Sequence, residues 1–127
     1  MVFGLPRQVI MKQNFEDIAE KDGCYPSQAV KFVYEGLAYT AKKSLSEPSH
    51  VTGQSLCMGL RSLAIEKWGR LAIAVLESWN ITTTRDFGEI VYLMVRHKLM
   101  STQPTDSIDD FDDVYDFDTV FKKQFKF

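Results

Sequence analysis

The amino-acid sequence predicts a mainly α-helical, single-domain fold, and three observations lead to this conclusion. The chain has 127 residues, 45% of them hydrophobic, so it is long enough to bury one core without metals or disulfides. Apolar residues recur at three- and four-residue spacing, the period of amphipathic helices. The joins between these stretches are short. We therefore expect a bundle of about five helices over residues 1–105, with an acidic aromatic tail at 106–127 that docks on the same domain.

The first predicted helix is short and follows an N-terminal arm. Residues 1–11 mix apolar residues with glycine and proline and predict a loose arm or a short strand at 8–11. From 12 to 21, one narrow apolar stripe lies among charged residues, and its members are Phe15, Ile18 and Ala19. Gly23 then supplies the left-handed conformation that commonly ends a helix.

The second predicted helix opens at Pro26-Ser27 and runs to about Lys43. Proline suits the first turn, where its missing amide has no partner to lose. The apolar stripe of this helix is formed by Val30, Val33, Leu37 and Ala41. Gly36 in the middle lowers helix stability by about 1 kcal/mol relative to alanine. Close approach of another helix at Gly36 would explain that cost.

The third predicted helix follows a linker at residues 44–52, which is rich in serine and contains a proline. Thr52 is its predicted N-cap, and Gly69 marks its end. The apolar stripe consists of Leu56, Cys57, Leu60, Leu63, Ala64 and Trp68.

The last two predicted helices meet at a tight corner between residues 70 and 100. The stripe of the first is Leu71, Ala72, Val75, Leu76 and Trp79. Asn80 tolerates the left-handed conformation needed past the helix end, and Thr83 with Asp86 predicts a capping box for the second. The stripe of the second helix is Phe87, Ile90, Val91, Met94, Lys98 by its aliphatic stem, and Leu99.

The corner also has the spacing of a helix-turn-helix or winged-helix motif, in which the second helix enters the major groove. The residues that this helix would present are Thr82, Arg85, Asp86, Glu89, Tyr92 and Arg96. Phosphate binding requires a cluster of Lys and Arg, whereas here Asp86 and Glu89 offset Arg85 and Arg96. A corner that packs internally is therefore preferred, and nucleic-acid binding is kept as the alternative function.

The tail differs in kind from the rest of the chain. Residues 106–118 contain seven aspartates and no Lys or Arg, and three lysines follow in 119–127. The aromatic spacing fits either a helix or a strand, and both remain open. We expect the aromatic residues to dock on the bundle and the aspartates to face outward. The candidate partner-binding residues are Asp109, Asp110, Asp112, Asp113, Arg85, Tyr92 and Arg96.

Other chemistries lack the residues that they need. An EF-hand loop starting at Asp110 would place Tyr115 where glycine is required and Phe121 where glutamate is required. The two cysteines and two histidines have no zinc-site spacing, no export signal favours a disulfide, and no Gly-Lys-Ser/Thr phosphate loop is present. No catalytic residue, cofactor or metal is predicted. Because no apolar run is long enough to span a bilayer and no signal peptide is evident, we expect a cytoplasmic protein without membrane contact.

Several segments together resemble a known protein family. They are Tyr25, Phe-Val-Tyr-Glu-Gly-Leu at 32–37, His-Val-Thr-Gly-Gln at 50–54, Gly-Arg-Leu-Ala at 69–72, Asp-Phe-Gly-Glu-Ile-Val at 86–91 and Asp-Asp-Phe at 109–111. In these segments, which extend over nearly the whole chain, the sequence resembles a family of uncharacterised proteins restricted to planctomycete and verrucomicrobial bacteria. The resemblance implies a bacterial, cytoplasmic setting and brings no activity, cofactor or functional residue with it.

The sequence thus favours a small non-enzymatic module for protein interaction or assembly. Its partner would be an unidentified protein or a second copy of the chain. The motivating feature is charge segregated into one segment without catalytic geometry.

Overall fold

The computed structural model describes residues 3–4, 15–43, 51–97, 101–102 and 107–123. Over these residues the predicted mainly α, single-domain fold is confirmed. The helices are α1 (Phe15–Asp22), α2 (Ser27–Lys43), α3 (Gly53–Trp68), α4 (Ala72–Ser78) and α5 (Thr84–Arg96). Two short strands, β1 (Phe3–Gly4) and β2 (Ser101–Thr102), pair antiparallel. The predicted strand at 8–11, most of the linker and the stripe positions Lys98 and Leu99 lie outside the described residues.

The helix boundaries follow the local signals in the sequence. Gly23, after α1, has a φ of 78°, and Asn80, after α4, has a φ of 66°. The Thr52 hydroxyl caps α3 by accepting the Ser55 N–H at 3.0 Å. Thr83 and Asp86 form the predicted capping box at the start of α5. These ends are set by short-range chemistry, which is why the sequence located them to within a few residues.

Helices α2 and α3 pack closely because α2 has a glycine at the crossing. A Cβ on Gly36 would overlap the side chain of Leu60, which is fully buried. The expected close approach of another helix at Gly36 is therefore confirmed. The stability that Gly36 costs α2 is offset by the contact that it allows with α3.

The core extends from this crossing to the inner faces of α4 and α5. The largest side chains that are fully buried are Phe32, Phe87, Phe111, Phe121, Leu37, Leu56, Leu60, Leu76, Ile81, Ile90 and Met94. Trp68 and Trp79 are half-buried at the edge of the core, with ring centroids 5.4 Å apart in an edge-to-face arrangement. Both rings also lie against Phe32, at 5.2 and 6.0 Å.

The first helix of the corner is shorter than predicted, and its buried stripe is shifted. Residues Gly69–Leu71 form a 3-10 turn, so α4 begins only at Ala72. The prediction that Leu71 is buried is wrong, because its side chain is 63% exposed and Ile73 occupies an inward position instead. A 3-10 turn has three residues per turn where an α-helix has 3.6, so Leu71 does not point in the direction that a continuous α-helix would give it.

The tail forms helical turns and not a strand over the residues described. Ile108–Phe111 is a 3-10 turn, and Asp118–Lys123 is a π-helical turn. The first packs against α3 and α5, and the second against α4. Among the described helices, none is both long and apolar enough to cross a membrane.

Candidate functional site

Phe111 is the centre of the contact between the tail and the helices. Its side chain is fully buried, and it lies against the backbone of α5 at Gly88 and of α3 at Gly53. A Cβ on Gly88 would stand 2.7 Å from Phe111 Cγ, and one on Gly53 would stand 3.2 Å from Phe111 Cε1. Two helices thus present bare backbone to one ring, and any side chain at Gly88 would displace it.

Thr84 ties the backbone of the tail to the first turn of α5. Its side chain is 1% exposed. The hydroxyl donates to the carbonyl oxygen of Phe111 at 2.6 Å and accepts the N–H of Val114 at 3.2 Å. One buried hydroxyl therefore bonds two backbone groups of the tail at once.

Arg85, on the outer side of the same turn, holds the acidic part of the tail. Its Nη1 donates to Asp109 Oδ1 at 3.0 Å and to Asp112 Oδ1 at 2.9 Å, and its Nε reaches Glu89 at 3.4 Å. The hydrogen bonds that Arg85 donates to Asp112, and then those to Asp109, raise the pKa of Arg85 above its ordinary value. Because the pairs are solvent-exposed, they orient the tail more than they stabilise it.

The aromatic residues that follow complete the anchoring. Phe117 and Phe121 are buried with ring centroids 5.1 Å apart, and Phe117 lies 5.7 Å from Phe87 of α5. The Tyr115 hydroxyl donates to the carbonyl oxygen of Cys57 at 2.8 Å. Burial raises the pKa of Tyr115 well above its ordinary value. The buried side chains of the tail, Phe111, Phe117, Val120 and Phe121, are consequently part of the core.

Asp86 satisfies the first turn of α5 with its own carboxylate. Its Oδ2 accepts the N–H groups of Thr82 at 2.9 Å and Thr83 at 3.1 Å, and both hydroxyls at 3.3 Å. Its Oδ1 accepts the Tyr25 hydroxyl at 2.7 Å. Burial, together with this hydrogen bond, raises the pKa of Tyr25. The positive end of the α5 dipole is thus already neutralised from within the chain.

The outer surface of the docked tail is acidic and contains a small open cavity. The exposed aspartates are Asp109, Asp112, Asp113, Asp116 and Asp118. Asp110 departs from the expectation that the aspartates face outward, because it is half-buried and its Oδ2 accepts the Ser107 N–H at 3.1 Å. The cavity has a volume of about 240 Å³ and is lined by Thr82, Thr83, Thr84, Asp113, Tyr115, Asp116 and Phe117.

Five of the seven predicted partner-binding residues come together at the start of α5. They are Arg85, Asp109, Asp110, Asp112 and Asp113. Arg85 faces the tail, as its bonds to Asp109 and Asp112 show. By the 1.5 Å rise of a helix, Tyr92 and Arg96 lie about 10 and 16 Å farther along α5. Tyr92 is half-buried against the core and Arg96 is exposed.

Sequence reasoning missed the residues that shape this site. The role of Gly88 depends on an aromatic ring 23 positions away, and the role of Thr84 on a carbonyl 27 positions away. One signal was available, because glycine inside a predicted helix had already indicated a close approach at Gly36, and Gly88 is a second such glycine. Nothing in the sequence indicated that Tyr115 and Phe117 would line a cavity.

Burial holds the Cys57 thiol and the Tyr115 hydroxyl in their neutral forms. Burial raises the pKa of Cys57 to about 12, and the thiol is therefore protonated at neutral pH. Cys24 is exposed, and neither Cys24 nor Cys57 forms a disulfide. In the part of the chain that the structure describes, no group of three or more His, Cys, Asp or Glu side chains could hold a metal ion.

Comparison with known proteins adds no relative. The chain matches no protein-family model, no curated protein and no solved structure. The resemblance to proteins of planctomycete and verrucomicrobial bacteria accordingly remains a prediction.

Proposed function

We propose that this chain is a small, non-enzymatic protein-interaction module that binds its partner through the acidic face of the docked tail. The observation that carries the proposal is the exposure of five aspartates on a segment whose aromatic residues are fixed in the core. Like charges held close together repel one another, so they raise the free energy of the folded state. Approach of a basic protein surface would relieve that repulsion.

The tail is anchored mainly by buried groups, although Arg85 also pairs with Asp109 and Asp112. Phe111 and Phe117 are buried, and the Thr84 hydroxyl bonds the tail backbone. Asp113 and Asp116 add no buried apolar area, and their carboxylates are exposed. Because the segment is already ordered, it loses little conformational entropy when a partner binds. This favours specific recognition over nonspecific electrostatic attraction.

Nucleic-acid binding, the alternative function suggested by the corner, is supported less well by the geometry. The first turn of α5 would have to approach phosphate groups, but Asp109 and Asp112 lie against Arg85 there. Asp86 also occupies the donors of that turn. Fluorescence anisotropy with random duplex DNA at about 50 mM salt, where nonspecific binders respond, tests the alternative directly. A flat titration would remove it.

Truncation is unsuitable as a test, because removing the tail would also remove buried rings. The full chain with three tail charges neutralised is preferable, and the substitutions are Asp113→Asn, Asp116→Asn and Asp118→Asn. The control has the same net charge but is altered on the exposed surface of the helices, by Glu20→Gln, Glu35→Gln and Glu77→Gln. Far-UV circular dichroism establishes that both variants are folded.

Partner capture and sedimentation velocity are then compared among the wild type and both variants. We expect the tail variant to lose a partner, or concentration-dependent self-association, that the wild type and the control retain. If all three proteins capture the same partners and sediment alike, the acidic face is not an interaction surface. A bacterial, cytoplasmic setting, as the resemblance implies, belongs to the same proposal.

A further inference from the structure

The cavity between the start of α5 and residues 113–117 differs from the rest of the acidic face because aromatic rings form part of its wall. Tyr115 and Phe117 line it together with Asp113 and Asp116. The Tyr115 ring is fixed by the bond from its hydroxyl to Cys57, and it lies 6.0 Å from Phe117 in a stacked arrangement. Pockets that enclose whole small molecules measure roughly 300–1,000 Å³. At about 240 Å³ and open to solvent, this one is suited to a single side chain.

The threonine hydroxyls around the cavity can accept hydrogen bonds from a ligand, but their hydrogens already take part in other bonds. Thr82 and Thr83 donate theirs to Asp86 Oδ2, and Thr84 donates to the Phe111 carbonyl. The lone pairs of the Thr82 and Thr83 oxygens can still accept. Asp116 uses Oδ2 to accept the N–H and hydroxyl of Thr119, which leaves Oδ1 available.

A ligand for this cavity must therefore donate several hydrogen bonds, carry positive charge and have a flat face that can stack on an aromatic ring. Anions are excluded because the nearby N–H groups of Thr82 and Thr83 already donate to Asp86. The guanidinium group meets all three requirements, with five donors in one plane and a face that stacks on aromatic rings. An ammonium group has three donors and no flat face.

We propose that the cavity lined by Asp113, Tyr115, Asp116 and Phe117 is a binding site for one arginine side chain, presented by the protein that docks on the acidic face. The inference rests on the proposed function, since it names the residue of the partner that enters the site. Asp113 and Asp116 pair with the guanidinium, and the half-buried ring of Tyr115 packs against it.

The probe for the test is Nα-acetyl-arginine amide, titrated into the ¹⁵N-labelled full chain while amide chemical shifts are recorded. The neutral isostere Nα-acetyl-citrulline amide and the ammonium analogue Nα-acetyl-lysine amide are the comparison ligands. We expect saturable shifts for the arginine probe at the amides of residues 82–84 and 113–117, with a Kd in the millimolar range. Citrulline amide should not saturate, and lysine amide should bind more weakly.

Two single substitutions separate the cavity from the general charge of the tail. Asp113 has a φ of 50°, a conformation that asparagine also tolerates, so Asp113→Asn removes charge without forcing the backbone to change. It should raise the Kd for the arginine probe by about fivefold or more, because a charge-assisted bond is lost. Asp118→Asn removes the same charge from an exposed aspartate of the tail outside the cavity lining, and should change the Kd less than twofold at physiological ionic strength.

Four results would overturn the inference. They are shifts that do not saturate, equal binding of citrulline amide, lysine amide binding as tightly as arginine amide, and an equal loss of affinity in both variants. The outcome is separable from that of the proposed function. If the probe fails while the triple tail variant still loses its partner, the acidic face acts without the cavity. If the probe binds while partner capture is unaffected, the cavity takes a guanidinium but the face is not the docking surface.

Discussion

Substitution of Gly88 by alanine tests whether the tail is seated as the structure places it. The new methyl carbon would lie 2.7 Å from Cγ and 2.8 Å from both Cβ and Cδ1 of Phe111. Carbon atoms pack at about 3.5–4.0 Å, so the Phe111 ring would have to move by roughly 0.7 Å or more. Two of these atoms are rigid parts of the ring and the third adjoins the backbone, which prevents relief by simple rotation of a flexible end.

The size of the effect follows from two opposing contributions. Alanine improves helix propensity over glycine by about 1 kcal/mol. If the Phe111 ring stays in place, overpacking costs about 1–3 kcal/mol. If the ring leaves its site, the loss of its buried apolar surface costs about 1.5–3 kcal/mol. We therefore expect Gly88→Ala to lower the free energy of unfolding by up to about 2 kcal/mol, although alanine is the better helix former.

Urea unfolding followed by the fluorescence of Trp68 and Trp79 measures this change in the full chain. The control is a double-mutant cycle with Phe111→Ala, which alone should cost about 3–5 kcal/mol. In that background the Gly88→Ala substitution meets no ring, so its cost should fall by at least about 1 kcal/mol. A stabilising effect of Gly88→Ala in the wild type, or additivity of the two changes to within about 0.5 kcal/mol, would refute the seating of Phe111 on α5.

Four further predictions concern the contacts of Thr84 and Arg85 with the tail and the burial of Cys57. Thr84→Val keeps the shape but removes the hydroxyl that bonds the Phe111 carbonyl and the Val114 N–H, and should lower the urea-derived free energy of unfolding by about 1–3 kcal/mol; no change would mean that this hydroxyl does not anchor the tail. Arg85→Gln should lower Tm only slightly, and the difference should vanish at about 1 M salt, where exposed pairs are screened; a difference that persists would indicate a desolvated pair. Iodoacetamide at pH 8 should label Cys24 but not Cys57, with both labelled in denaturant, because burial raises the pKa of Cys57 to about 12; native labelling of Cys57 would contradict its burial. Because the pKa of Cys57 is raised from about 9 to about 12 on folding, the unfolded chain loses the thiol proton at a lower pH than the folded chain. The stability that comes from burying the neutral thiol is therefore complete below pH 9 and is lost as the pH rises toward 12, which pH-jump unfolding would detect.

The site connects two features of the chain that the sequence keeps apart. The short corner after α4 places Thr84 and Arg85 on adjacent sides of one turn, one buried and one exposed. Thr84 bonds the backbone of the tail, and Arg85 meets two of its carboxylates. This arrangement fixes the position of the aspartates, so the proposed binding surface is organised before a partner arrives.

Sequence reasoning located the elements well where local chemistry decides them. The caps at Thr52 and Thr83 and the left-handed Asn80 were predicted, and the structure confirms each. A close approach of another helix was a possible explanation for Gly36, and the structure shows it. The prediction failed at Leu71, because the predicted apolar stripe began before the start of α4. Helical periodicity does not distinguish an α-helical turn from the 3-10 turn that precedes α4.

The candidate residues show the same division between local and distant information. That the tail would use its aromatic residues to dock, and that its aspartates would be exposed, followed from composition and pattern, with half-buried Asp110 as the exception. Arg85 was selected for its position on α5, but its pairing with Asp109 and Asp112 was not foreseen. The division of the chain at residue 105 stays a prediction.

By itself, the sequence determined the helical class, most helix boundaries and the segregation of acidic charge, because these depend on residues within one or two turns of one another. The tertiary structure alone decided where the tail lies, which aromatic ring packs against Gly88 and which side chains line the same cavity. Those outcomes depend on contacts across 23 or more positions, such as Gly88 with Phe111 and Tyr115 with Cys57. Local propensities carry no information about such pairs, since the pairs form only when packing brings distant segments together.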